Sequence, residues 1–104
     1  MKFYKNLYIG ETIKKPNKIK RKMKHHARQL KVFVIMLAAG DDQLEICHSM
    51  ILGQPYYQKK ENAPYIIGIA GNYEEAVALV CRITGEAFAQ NGNADLKSYL
   101  FPKI

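Results

Sequence analysis

The strongest signal for the fold is the stretch VFVIMLA, residues 32–38, because all of its side chains are apolar. Val and Ile are β-branched and favour strands, and a strand that is apolar at consecutive positions is buried on both faces. The stretch YIIGIA, residues 65–70, has the same character. The sequence therefore predicts two central strands that are covered on both sides.

Two further strands are predicted around this pair. Gly40, Asp41 and Asp42 form a turn signal, and apolar and polar residues then alternate along residues 44–52, which is typical of a strand. The end of that segment, SMIL, fits a short helical turn equally well. Residues 3–9 are rich in Tyr, Phe, Leu and Ile and predict a strand near the sheet edge. A loop with two prolines is predicted at residues 53–64, directly after the segment 44–52.

Two amphipathic helices complete the pattern. The first covers residues 17–31, with an apolar stripe of Ile19, Met23, His26, Ala27 and Leu30 opposite a cationic side of Lys20, Arg21, Lys24, Arg28 and Lys31. The second covers residues 73–90, and Asn72 with Glu75 resembles a capping box at its start. Its predicted buried face consists of Tyr73, Ala76, Val77, Val80, Cys81, Ala87 and Phe88.

The order β-α-β-β-β-α predicts an α+β fold, a two-layer sandwich with two helices on one face of a mainly antiparallel sheet. Residues 1–104 form one domain, and the C-terminal tail, residues 94–104, packs back on it. Because the central strands are apolar on both faces, something must cover the second face. Either the tail or a second copy of the chain could do so, and we predict a homodimer through the sheet.

Cysteine content and hydropathy favour a soluble cytoplasmic protein. Two cysteines, Cys47 and Cys81, are too few for a disulfide framework and are expected to be buried thiols. The opening MKFYKNLYIG lacks the apolar segment of a secretory signal. The longest apolar run, residues 32–39, is too short to span a membrane.

The net charge of +7 is confined to one half of the chain. Residues 1–52 carry eleven Lys and Arg against four acids, whereas residues 53–104 carry five against five. Nine of the eleven cations lie in residues 14–31. A field concentrated on one element attracts anionic partners, of which nucleic acid is the leading candidate.

We predict a nucleic-acid site on the first helix, held by phosphate contacts, with a Tyr pair as possible stacking groups. The predicted residues are Lys18, Lys20, Arg21, Lys22, Lys24, Arg28, Tyr56 and Tyr57. Two alternatives stay open. In the first, the basic face is only a solvated helix surface, and the protein is a protein-interaction or homodimerisation module. In the second, the two tyrosines pack on the core instead of stacking on bases.

No motif for a catalytic residue, a metal ion or a cofactor is evident, so an enzyme is the third possibility. His26 and His48 both fall on apolar faces and could approach each other across a helix–sheet interface. A metal site needs at least three ligands, so a structural role with a hydrogen-bond partner is the simpler interpretation. A deep pocket between the two histidines would favour an enzyme.

The order α-β-β-β-α over residues 13–90 resembles the topology of the double-stranded-RNA-binding domain. In that family the second helix opens with a lysine cluster that contacts phosphates, and a strand–strand loop enters the minor groove. Here the corresponding stretches are Tyr73-Glu74-Glu75-Ala76-Val77 and Gly40-Asp41-Asp42, both acidic. The resemblance therefore covers the topology and does not extend to the RNA-binding residues.

The opening MKFYKNLYIG, the pairs His48-Ser49 and Tyr56-Tyr57, and the stretch YIIGIAGNYEEA together resemble a small bacterial protein family. That family has no assigned activity. The resemblance therefore implies a bacterial origin and supplies no site residues.

Overall fold

The computed structural model describes residues 2–25, 30–37, 43–92 and 95–101. The strands are β1 (Lys2–Ile9), β2 (Phe33–Leu37), β3 (Leu44–His48) and β4 (Tyr65–Ala70). The helices are α1 (Pro16–His25), α2 (Pro55–Gln58), α3 (Tyr73–Asn91) and α4 (Leu96–Leu100), with 3-10 turns at Ser49–Gly53 and Lys60–Asn62. The predicted order of strands and long helices is confirmed.

The four strands form one mixed sheet in the order β1-β4-β2-β3. β2 pairs antiparallel with both β3 and β4, whereas β1 pairs parallel with β4. The two strands that are apolar throughout, β2 and β4, are the central ones, as the sequence predicted. The α+β class and the mainly antiparallel sheet are confirmed.

The two long helices lie on opposite faces of this sheet, so their predicted placement on one face is wrong. Alternate residues of β2 separate the faces. Ile35 and Leu37 belong to a core with α3 and α4, whereas Val34 and Met36 belong to a core with α1. We call these the α3 side and the α1 side. The connections β1-α1-β2 and β3-α2-β4 both pass over the α1 side.

The second face of the central strands is thus covered within the chain. On the α1 side Met23 and Leu52 are fully or almost fully buried, the latter from the 3-10 turn. The C-terminal tail packs on the α3 side, where Leu96 and Leu100 are buried. The reason for expecting a dimer through an open sheet face therefore no longer holds.

The first helix is shorter than predicted at the positions that can be compared. α1 ends at His25, and Leu30 and Lys31 are not helical. β3 ends at His48, where the SMIL stretch forms a 3-10 turn, the alternative that the sequence left open. Ser49 is buried there. Its hydroxyl donates to the Leu30 carbonyl at 2.7 Å and accepts from the Val32 N–H at 3.2 Å.

The predicted buried face of α3 is wrong for four of its seven members. Ala76 and Ala87 are buried and Val80 is half-buried, but Leu79 and Ile83 complete the buried face. The members that remain exposed are Tyr73, Val77, Cys81 and Phe88. The helix is apolar around most of its circumference, so periodicity alone does not fix its rotation.

Polar contacts on α3 fix the rotation instead. The Tyr8 hydroxyl donates to Glu86 Oε1 at 2.6 Å, and the Arg82 guanidinium donates to Glu86 Oε2 at 3.3 Å. The Tyr99 hydroxyl lies 3.4 Å from the same Glu86 oxygen. The Glu86 cluster therefore joins α3 to β1 and α4 along one flank and turns the other flank, with Val77 and Phe88, towards solvent.

Candidate polyanion-binding surface

Helix α1 carries its charges on three sides because little of it is buried. Met23 is its fully buried residue, and Ile19 packs beside it on the α1-side core. Its ten residues include five Lys and Arg and no acid. At 100° per residue, Lys18 and Lys22 fall on one flank of the buried stripe and Lys20 and Lys24 on the other.

The flank of Lys20 and Lys24 faces strand β1. Their ammonium groups lie 5.3 Å and 5.6 Å from the centroid of the Phe3 ring. These distances are within the range of a cation–π contact, which also covers the ring with aliphatic side chain. This pair of lysines therefore has a packing role on β1 that the sequence did not predict.

The flank of Lys18 and Lys22 borders an open groove of about 610 Å³. Two additional lysines, Lys14 and Lys15, reach the same groove from the segment that precedes α1. The complete lining is Thr12, Ile13, Lys14, Lys15, Lys18, Ile19, Lys22, Val32, Gly71 and Asn72. We call Lys14, Lys15, Lys18 and Lys22 the groove lysines.

The walls of the groove are held together by the carboxylate of Glu75. It accepts hydrogen bonds from the Gly71 N–H at 2.8 Å, the Thr12 hydroxyl at 2.7 Å and the Thr12 N–H at 3.2 Å. This cluster joins the chain after β1 to the chain after β4. Gly71 must be small here, since a Cβ atom at this position would overlap the Thr12 side chain.

These hydrogen bonds favour the charged form of Glu75. The Gly71 N–H and then the Thr12 hydroxyl are the largest causes, and together with the field of Lys14 they hold its pKa below the ordinary value of 4.5. The Glu75 N–H in turn donates to the Asn72 side chain at 2.8 Å, so the predicted Asn72 cap is confirmed. The Glu75 carboxylate binds Gly71 rather than Asn72, which differs from a reciprocal capping box.

The electrostatics of the groove favour an anion at its lysine end. Within the described residues, no groove lysine lies within 4 Å of a carboxylate. Ile13, Ile19 and Val32 contribute apolar side chains to the lining. The Gly71 end is different, because the Glu75 charge would repel an anion there. The first helical turn of α3 is thus not the anion-binding part.

The two tyrosines of the pair differ, and each fits one of the two interpretations that the sequence left open. Tyr57 packs on the α1-side core and burial raises the pKa of its hydroxyl. Tyr56 is 60% exposed, with its ring 5.0 Å from that of Tyr57 in an edge-on arrangement. Both belong to α2, which covers the same face of the sheet as α1. Tyr56 is therefore the one of the pair that is free to stack on a base.

The remaining predicted residues are placed as follows. Arg21 is exposed on the outward side of α1. Arg28 and His26 lie outside the described residues, as does the predicted turn at residues 40–42. His48 accepts the Met50 N–H through Nδ1 at 3.1 Å, and its ring packs edge-on against Phe33 on the α3 side. This contact gives His48 a structural role.

Two thiols complete the list of reactive side chains. Cys47 is half-buried, and burial, followed by the charge of Glu45, raises its pKa. It is therefore a poor nucleophile at neutral pH. Cys81 is exposed, contrary to the expectation of a buried thiol. In the part of the chain that the structure describes, no three His, Cys, Asp or Glu residues are grouped to hold a metal ion.

The structure adds eight residues to the predicted surface: Thr12, Ile13, Lys14, Lys15, Ile19, Val32, Gly71 and Asn72. A signal for the lysines was present, because Lys14 and Lys15 belong to the same run of cations. No comparable signal marked Thr12 or Gly71, which reach the groove through the tertiary fold. Among the helices of the described ranges, none is long and apolar enough to cross a membrane.

Comparison of the chain with models of protein families, with curated proteins and with solved structures gave no match.

Proposed function

We propose that the protein binds nucleic acid through its phosphates, with the groove lysines at the centre of the site. The observation that carries this proposal is the convergence of Lys14, Lys15, Lys18 and Lys22 on one groove. Lysine ammonium groups on flexible side chains suit phosphate contacts, which supply affinity and position the ligand without reading sequence. Arg21, which is exposed on α1, extends the cationic surface.

Single-stranded nucleic acid is the proposed ligand. The exposed ring of Tyr56 on the α1 side offers a stacking surface that unpaired bases can reach and paired bases cannot. The groove itself is small, and a flexible single strand can follow it more closely than a duplex. The two free thiols are compatible with a reducing compartment, and we propose that the protein acts in the cytoplasm.

The test compares two double variants of α1 with equal net charge. Each Lys→Glu change removes two charges, so Lys18→Glu/Lys22→Glu and Lys20→Glu/Lys24→Glu both lower the net charge from +7 to +3. Binding of a labelled single-stranded RNA is measured by fluorescence anisotropy at about 50 and about 200 mM salt. The groove variant should bind at least about tenfold more weakly than its matched control.

The salt dependence gives a second, independent readout. Loss of two phosphate contacts should reduce the slope of log affinity against log salt by about 1.4 for a single strand. Equal weakening in both variants would mean that net charge alone governs binding, and the groove would then not be a site. Absence of binding by the unchanged protein at about 50 mM salt would refute the proposal altogether.

A protein-interaction module is the second candidate function. The observation that favours it is the exposed apolar flank of α3, where Tyr73 and Phe88 are 58% and 59% exposed. Exposed apolar patches on a charged protein mark interaction surfaces. This surface lies on the opposite side of the sheet from the groove, so the two functions do not exclude each other.

A further inference from the structure

Three of the groove lysines form a row along one side of α1 and the turn that precedes it. Lys15, Lys18 and Lys22 are exposed, and their spacing of three and four residues places them on the same side of a helix. Lys15 shares the helical pattern, because its carbonyl accepts the Ile19 N–H at 3.2 Å. At 1.5 Å per residue, the row is about 10 Å long. We call it the lysine row.

The lysine row leads away from Thr12. Lys15 follows Thr12 by three residues, whereas Lys22 lies about two helical turns further along the chain. α1 runs back along β1, because Lys24 near the end of α1 reaches the ring of Phe3 at the start of that strand. Thr12 follows the other end of β1. The row therefore begins near Thr12 and ends far from it.

The Thr12 end of the groove is built around a fixed negative charge. The Glu75 carboxylate accepts hydrogen bonds there from the Gly71 N–H and from the hydroxyl and N–H of Thr12. Gly10 must be small as well, since a Cβ atom at that position would overlap this carboxylate. A carboxylate has about four lone-pair positions, so among the described contacts one position on Glu75 Oε2 stays open to a further donor. This end of the groove therefore suits a hydroxyl group and repels a phosphate.

We infer that the groove receives the 3′ end of a single strand, an inference that rests on the nucleic-acid binding proposed above. Every internal nucleotide has a phosphate on both sides, so an internal segment that followed the lysine row would bring a phosphate to Glu75. A 3′-terminal nucleotide has a phosphate on its 5′ side only. Its ribose ends in free 2′ and 3′ hydroxyls, which can donate to the Glu75 carboxylate. The charge pattern of the groove therefore matches this end of the strand.

The size of the groove supports a terminal nucleotide as its occupant. A volume of about 610 Å³ is that of a small-molecule site, and the half-buried side chains of Ile13 and Ile19 offer apolar contacts to a sugar or base. A free nucleoside 5′-monophosphate has the same ribose hydroxyls, but its one phosphate does not extend along a lysine row of about 10 Å. The 5′ end of a strand has one terminal hydroxyl or, when phosphorylated, a charge that Glu75 would repel.

The test compares three RNAs of one sequence: one with hydroxyls at both ends, one with a 3′ phosphate and one with a 5′ phosphate. Each displaces an internally labelled strand from the unchanged protein, and fluorescence anisotropy gives its affinity. The 3′-phosphate RNA should bind about tenfold more weakly than the RNA with two hydroxyl ends, because its added charge faces Glu75. The 5′-phosphate RNA should bind at least as tightly. A bare charge effect predicts the opposite for the 3′ phosphate, since the protein carries a net charge of +7.

Two variants of equal net charge identify the residue responsible. Glu75→Gln and Glu74→Gln each replace one acid by a neutral residue, so both raise the net charge by one unit, from +7 to +8. Glu74 is exposed in the same helical turn of α3 and does not line the groove. Glu75→Gln should abolish the discrimination against the 3′ phosphate, whereas Glu74→Gln should keep it. Circular dichroism checks that both variants stay folded.

The outcomes separate this inference from the proposed function. Equal or tighter binding of the 3′-phosphate RNA by the unchanged protein would overturn the inference and leave nucleic-acid binding in place, as would discrimination that persists in Glu75→Gln. Adenosine 5′-monophosphate that displaces the strand as effectively as the RNA with two hydroxyl ends would also overturn it, since a free nucleotide would then be the ligand. Absence of binding to all three RNAs would refute the proposed function itself.

Discussion

The two long helices cover opposite faces of one sheet, and they differ in both attachment and surface. α3 is held by four buried residues, whereas α1 is held by Met23. α1 presents lysines on both flanks, whereas the exposed residues of α3 include two charged ones, Glu74 and Arg82. Charge and burial are thus divided between the two faces of the sheet. The weakly attached helix carries two of the groove lysines, Lys18 and Lys22, and the strongly attached helix carries exposed apolar side chains.

The largest expected effect tests the attachment of α3. Ile83 is completely buried in the core between α3 and the sheet. Ile83→Ala removes buried methyl and methylene groups and leaves a cavity, so it should lower the free energy of unfolding by about 2–5 kcal/mol. Urea denaturation followed by circular dichroism measures this loss.

The corresponding change on the other face should act locally. Met23→Ala removes the fully buried anchor of α1, and we expect the α1 amides to lose their protection against hydrogen exchange while those of α3 keep it. Equal loss of protection in both helices would show that the two faces unfold as one unit. The comparison between weak and strong attachment would then fail.

The third prediction concerns the functional difference between the faces. Tyr56 on the α1 side and Tyr73 on the α3 side are 60% and 58% exposed, which makes them a matched pair. Stacking of a base on an aromatic ring is worth about 1–3 kcal/mol, so Tyr56→Ala should weaken binding of single-stranded RNA by about tenfold. Tyr73→Ala should leave that affinity unchanged. Anisotropy titrations of the two variants would measure both, and similar losses would remove Tyr56 from the site.

The sequence alone predicts some of these features of the fold and not others. The apolar runs of β2 and β4 predicted the central strands, because a strand with apolar side chains on both faces needs to be covered on both faces. The rotation of α3 could not be predicted in the same way. The contacts of Glu75 with Thr12 and of Glu86 with Tyr8 decide it, and both pairs are distant in sequence.

The candidate site was predictable to a similar degree. The run of cations identified the first helix, but the prediction did not assign Lys18 and Lys22 to a different flank from Lys20 and Lys24. What borders each flank depends on the tertiary fold. Phe3 lies beside one flank, and the junctions after β1 and β4 border the groove on the other. Local periodicity contains no information about either neighbour.

The smallest expected effect is a pH dependence of the free energy of unfolding, caused by the contacts of Glu75 with Gly71 and Thr12. The pKa of Glu75 is lowered in the folded protein, first by the Gly71 N–H and then by the Thr12 hydroxyl. Its carboxylate therefore stabilises the fold fully above the ordinary glutamate pKa of 4.5, and this contribution is lost as the pH falls through the lower folded-state pKa. Glu75→Gln should lower the free energy of unfolding at pH 7 by about 1 kcal/mol.

Measurement of the free energy of unfolding of both proteins between pH 7 and pH 3 separates the contribution of the Glu75 charge from the contribution of its side-chain shape. Because glutamine keeps the size and one acceptor oxygen, the difference between the two proteins should narrow as Glu75 becomes protonated. Glu61→Gln is the control, since Glu61 is exposed and has no hydrogen-bond partner among the described residues. A difference that stays constant over the whole pH range would mean that Glu75 acts by packing, and the groove walls would then not depend on its charge.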